Sequence, residues 1–181
     1  ARNFKASCKS VDECRDKGEK AYEESEKTKG PIVPVEPGLR YREERVGTGP
    51  LVEQGDTVDI TYEISKTNGD YIYSKGKGRP DMSVDGKDDF GEFYRVRLGK
   101  HDVPVGVERL MEGMRVGGVR RVELPPWLGF GTSDWKPEPS NFSGKKRMER
   151  YRGLLTGNGL QKGYNASILF EVEVMRLPDK S

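Results

Sequence analysis

Two stretches alternate apolar and polar residues with a period of two, and each demands a strand with one face buried. In the first, Val58, Ile60, Tyr62 and Ile64 are interleaved with Asp59, Thr61 and Glu63. In the second, Ile168, Phe170, Val172 and Val174 are interleaved with Glu171 and Glu173. Asn68-Gly69 after the first stretch supplies turn chemistry, so Tyr71-Ile72-Tyr73 reads as the returning arm of a hairpin. Tyr94, Val96 and Leu98 predict another strand, as does Val119 to Leu124. Between those two, Val107, Leu110, Met111 and Met114 fall at i, i+3, i+4 and i+7, one apolar stripe on a short helix. The predicted fold class is α+β, an antiparallel sheet wrapped against one short central helix.

The rest of the chain follows other rules. Ser10-Val11-Asp12-Glu13 is a capping box, predicting a helix to about Lys29 with a thin apolar face at Val11, Cys14, Ala21 and Tyr22. Three prolines between Pro31 and Pro37 favour an extended, polyproline-like path, read as a stiff linker or an arm laid along a surface. The expected organisation is an extension over 1–30, a linker over 31–38, a domain over 39–177 and a tail over 178–181. Residues 75–92 are rich in Gly, Asp and Lys without a period, as expected of a long loop. The domain carries an insertion over 132–165, whose composition predicts surface rather than core.

Composition excludes some functions. The 32 Lys and Arg nearly cancel the 30 Asp and Glu, so no large field of one sign exists to draw nucleic acid, and none is expected as a partner. Apolar runs are far shorter than the roughly 20 residues of a membrane-crossing helix. Asp81, Asp85, Asp88 and Asp89 are read as a solvated loop rather than a calcium site, and no metal or other cofactor is expected. His101, the sole histidine, has no nucleophile and acid arranged about it in sequence and reads as a surface residue at a strand end.

The two cysteines, Cys8 and Cys14, flank the predicted cap. A local disulfide requires the chain to turn at Ser10, because six positions within one continuous helix span about 9 Å along the axis, too far for a bridge. Two free thiols are the other reading. Lys145, Lys146, Arg147 and Arg150, with Trp135 and Phe142 in the same insertion, are candidate docking residues for an acidic partner, since aromatics and Arg commonly anchor interfaces. A solvated basic surface is the alternative.

Leu98-Gly99-Lys100, Gly106, Glu108 to Met114, Val116 to Val122, Leu124-Pro125-Pro126, Gly129-Phe130-Gly131 and Ala166 to Val174 together resemble the FKBP-type peptidyl-prolyl cis-trans isomerases. The resemblance covers most of the chain after Gly38. It implies an FKBP-like fold and a cleft formed by Tyr62, Tyr73, Val107, Phe130 and Phe170, the positions implied in catalysis, with Ile72, Tyr94, Val103 and Pro104 lining substrate. Three of these depart from the family pattern: Tyr73 stands where an Asp is usual, Val107 where a Trp forms the floor, and Phe130 where a Tyr offers a hydroxyl. Losing an aromatic floor costs on the order of a kcal/mol or more of binding energy, so weak or lost isomerase activity is expected. The other reading is a non-catalytic accessory or assembly subunit of a large photosynthetic membrane complex. The implied partners are therefore proline-containing protein segments or a large membrane protein complex. Pro137 to Phe142 and Asn158-Gly159 are similar to insertions in plastid members. With the cysteine pair and Ala1, read as the start of a processed chain, the expected compartment is the thylakoid lumen.

Overall fold

The computed structural model describes residues 10–77, 93–132, 134–158 and 167–180. Helix α1 (Val11–Thr28) begins as the capping box requires, with the Glu13 amide donating to Ser10 Oγ at 3.2 Å. No side chain described on α1 is buried. Val11, Cys14 and Ala21 of its thin apolar face are exposed, and ion pairs such as Lys17–Glu13 at 2.6 Å decorate the helix. Cys14 is disulfide-bonded, whereas Cys8 lies outside the described residues. The predicted loop over 75–92 also lies almost wholly outside them, with all four of its aspartates.

The Pro-rich stretch is not a free linker. Ile32–Glu36 forms β1, an edge strand that turns back through Gly38 (φ 83°) onto β2 (Leu39–Arg45). Proline is tolerated there because an edge strand can spare one ladder donor. Strands β3 (Thr57–Lys66) and β4 (Tyr71–Lys75) form the predicted hairpin, followed by β5 (Tyr94–Arg97), helix α2 (Val105–Met111), β6 (Val119–Leu124) and β7 (Ile168–Arg176). The sheet order is β1-β2-β6-β7-β3-β4, with β5 also paired to β3, and every pairing is antiparallel.

Helix α2 buries Gly106, Val107, Leu110 and Met111 against the sheet. The approach depends on Gly106, where a Cβ would lie 2.6 Å from Leu124 Cδ2 and 3.0 Å from the Leu128 carbonyl. Met114 has left the helix but remains buried, completing the stripe.

The insertion overturns the expectation of a surface excursion. It forms α3 (Phe142–Arg150) and α4 (Arg152–Thr156), and its Met148 and Leu155 belong to the same buried cluster as the sheet residues. Asn141 caps α3, accepting from the Gly144 amide at 2.6 Å.

At the far end of β3, the buried Asp59 carboxylate accepts from Arg95 Nε at 2.8 Å and Arg176 Nε at 2.6 Å, tying β5 and β7 together. The Arg95 hydrogen bond, aided by Arg176, holds its pKa below the ordinary 3.8 although burial opposes this. A depressed carboxylate stabilises the fold above its unfolded pKa, and the contribution fades as pH falls towards the folded value. Asp59→Asn is therefore expected to cost about 1–3 kcal/mol at neutral pH. The gap between variant and parent should narrow as urea unfolding is repeated from pH 5 downwards; a constant gap would contradict this assignment.

Candidate functional site

The residues that the family resemblance places around a cleft do come together, but they do not all face solvent. Tyr62 on β3 stacks on Phe170 of β7, ring centroids 5.3 Å apart and planes 19° from parallel. It meets Tyr94 edge-on at 5.9 Å and Tyr73 at 6.1 Å with a 57° tilt. The register explains the cluster: β3 lies between β4, β5 and β7, so alternate side chains of all four strands converge on its inner face.

Burial divides these positions into two groups. Tyr62, Ile72, Tyr73, Val107 and Phe170 are each 0% exposed. Tyr62, Val107 and Phe170, positions that the resemblance implies in catalysis, therefore do not reach solvent. A contributing cause is the insertion, which α3 presses against β4. The Ser140 amide donates to Tyr73 Oη at 3.4 Å, and Arg147 Nε donates to the Ile72 carbonyl at 3.0 Å while its guanidinium lies 5.2 Å from the Tyr71 ring centre. At Gly144 the contact is so close that a Cβ would fall 2.6 Å from the Tyr73 ring and 2.8 Å from Pro139. Tyr73 thus offers an aromatic surface that the insertion covers.

Val103, Pro104 and Phe130 form the second group. Although mostly buried, they line an open groove of about 500 Å³ with His101, Val105, Trp127, Gly129, Gly131, Thr132, Asp134 and Lys136. Trp127, 54% exposed, is the largest side chain on its wall. A short 3-10 turn, Pro126–Leu128, holds it, and the ring rests 3.3 Å from where a Gly38 Cβ would be. Sequence reasoning did not select Trp127; the signal was a bulky aromatic placed directly after a strand and a Pro-Pro pair. Tyr94 sits beside the divide, half-buried, its hydroxyl donating to the Asp102 carbonyl at 2.6 Å. Burial, with the Asp102 carboxylate nearby, pushes that hydroxyl up to about 12, so it remains a neutral donor.

His101, at the groove's rim, is exposed and adopts φ 58°, in keeping with a surface position after β5. The docking candidates also divide. Trp135 is half-buried, its Nε1 enclosed without a hydrogen-bond partner among the described residues, and Arg147 turns inward onto β4. Phe142, Lys145, Lys146 and Arg150 face solvent. Among the described residues no group of three His, Cys, Asp or Glu could hold a metal ion, and no helix is long and apolar enough to cross a membrane.

The family model for FKBP-type peptidyl-prolyl cis-trans isomerases matches residues 49–175. Two Arabidopsis thaliana proteins described as chloroplastic peptidyl-prolyl cis-trans isomerases are similar: FKBP19, 32% identical over 148 residues (77% of this chain, 53% of the relative), and FKBP17-1, 28% identical over 148 residues (79% and 61%). The chain thus spans little more than half the length of these curated relatives. FK506-binding protein 4 of Chaetomium thermophilum is 34% identical over 109 residues, 60% of this chain and 20% of that protein. Among solved structures, the crystal structure of AtFKBP13 aligns with a TM-score of 0.52 at 21% identity, covering 81% of this chain and 98% of that one, a likeness of fold.

Proposed function

This chain belongs to the FKBP-type peptidyl-prolyl cis-trans isomerase family, and from that premise we propose that it binds proline-containing protein segments while accelerating their isomerisation weakly or not at all. One observation carries the proposal: Tyr62, Tyr73, Val107 and Phe170, four of the five positions implied in catalysis, have no exposed surface.

Rotation about an X-Pro bond passes through a twisted amide that has lost its resonance, and for peptide bonds the barrier is about 18–20 kcal/mol. No proton need be moved and no covalent bond made. The protein helps only by holding the twisted form better than either planar isomer, which requires the proline ring and its carbonyl to enter a dry, shaped site. With the aromatic cluster closed, the groove edged by Val103, Pro104, Phe130 and Trp127 remains open to a proline ring. That wall is aromatic and apolar, suited to a pre-extended Pro-containing segment. Pro104 has no N–H to donate and the Phe130 side chain has no hydroxyl, so neither of these two groups can grip a turned carbonyl.

The check is a coupled isomerisation assay on a Xaa-Pro peptide. Relaxation is expected to stay near the uncatalysed tens to hundreds of seconds at 25 °C, while the peptide still quenches or shifts Trp127 emission. Strong acceleration would refute the loss of activity, and an unperturbed Trp127 would refute binding at the groove.

The chloroplastic descriptions of the Arabidopsis relatives support a plastid location. The lumen of the thylakoid is the compartment we propose, and the disulfide at Cys14 is consistent with an oxidising one. The second reading, an accessory or assembly subunit of a large photosynthetic membrane complex, is favoured by the solvent-facing Phe142 and its basic neighbours. A fixed stoichiometry with one complex after mild-detergent purification would select it; a loose spectrum of clients would select the folding helper.

A further inference from the structure

We infer that the outer face of α3 is a docking site for an acidic protein segment that carries an apolar residue, a role that stands whether or not isomerase activity survives. Phe142, at the first position of the helix, is 71% exposed, and Lys146 lies 4.6 Å over its ring. Lys145 and Arg150 are exposed on the same helix, and the exposed Glu149 there pairs with Arg152 at 3.2 Å. None of Lys145, Lys146 and Arg150 has a carboxylate within ion-pair distance among the described residues. This sets the helix apart from the sheet, where cations are matched: Arg40 with Glu123 at 2.7 Å, Arg120 with Glu43 at 2.9 Å, and Arg121 with Glu171 at 2.7 Å.

The face is also held still. The Asn141 cap fixes the start of α3, Gly144 seats it on Tyr73, Arg147 pins it to the Ile72 carbonyl and Met148 anchors it in the core. A rigid, pre-placed aromatic among unneutralised cations loses little entropy on binding. Charge complementarity selects an acidic occupant, and the exposed ring selects one with an apolar side chain to cover it. A lipid surface fits less well, because stable association needs a broad apolar helix face. Here that face is spent inward on Gly144 and Met148, leaving one exposed ring.

The test is a fluorescence-anisotropy titration of the full chain with two labelled Asp/Glu-rich peptides, one with a central Leu-Leu and one with Ser-Ser in its place. The Leu peptide is expected to bind more tightly than the Ser peptide and to weaken about tenfold or more between low and high salt. Phe142→Ser should remove the Leu advantage, about a tenfold or larger loss on the scale of burying one Phe. Lys145→Glu with Lys146→Glu should abolish binding of both peptides, whereas Lys20→Glu with Lys27→Glu, the same change of net charge on α1, should leave it intact. Equal losses from the two charge reversals would overturn the proposal. So would equal affinities for the two peptides, or binding to phosphatidylglycerol vesicles without binding to either peptide.

Discussion

Truncating Phe170 to Ala is expected to destabilise the protein by about 3–5 kcal/mol, the range for removing a fully buried aromatic and leaving its cavity. The ring is 0% exposed, stacks on Tyr62 at 5.3 Å, and lies in register between Ile64 on β3 and Val122 on β6. Its neighbours are held by backbone ladders on both sides and cannot collapse into the space. A domain of this size has about 5–15 kcal/mol of stability in total, so a large share would be lost. Urea unfolding should show a lower midpoint with the slope unchanged. Were Phe170 the wall of an open cleft, water would already touch the ring and the loss would fall well short of that range.

Met148→Ala is the second large effect, expected to cost about 2–5 kcal/mol. Met148 belongs to the insertion, between solvent-facing Lys145, Lys146 and Arg150, yet it is 0% exposed within the common core. A residue on a detached surface excursion would change stability by no more than about 0.5 kcal/mol, the value expected for Lys145→Ala measured alongside it. Equal, small effects at both positions would show that α3 does not pack as described.

What could be read from the sequence follows from where the information lies. Strands β3 and β7 are legible because each is amphipathic on its own, and Val58 to Ile64 or Ile168 to Val174 announces its buried face without reference to any other segment. The central helix is legible for the same reason. Strand β1 is not, since Pro34 and Pro37 mask its pattern and its pairing partner in β2 supplies the reason to be extended. The insertion was misjudged because its composition is that of a surface, and the features that bind it to the domain are few and non-local. They are one methionine and one leucine in the core, one glycine whose missing Cβ admits a tyrosine ring, and one arginine bonded to a strand carbonyl.

The site shows the same division. The identities and proximity of Tyr62, Tyr73, Tyr94 and Phe170 were foreseeable, because the resemblance and the strand periodicity agree on their face. Their accessibility was not. Whether an aromatic cluster is a pocket or a core depends on what lies on it, and part of what lies on this one comes from a segment about 70 residues further along the chain. This also changes how the departures at Tyr73 and Val107 are understood. Tyr73 makes surface for α3, and Val107 fits a space already filled, so Val107→Trp should overpack the core, at a cost of about 1–3 kcal/mol, rather than restore a floor.

The closure of that cluster is the centre of this account, and hydroxyl-radical footprinting read out by mass spectrometry tests it directly. Trp127, Phe142 and Met175 serve as exposed references within the same molecule. The prediction is slow modification of Tyr62, Tyr73, Phe170 and Met148 in the native protein, against rapid modification of those references. Labelling of Tyr62 and Phe170 at rates comparable with Trp127 would contradict it, and would mean an open cleft in solution.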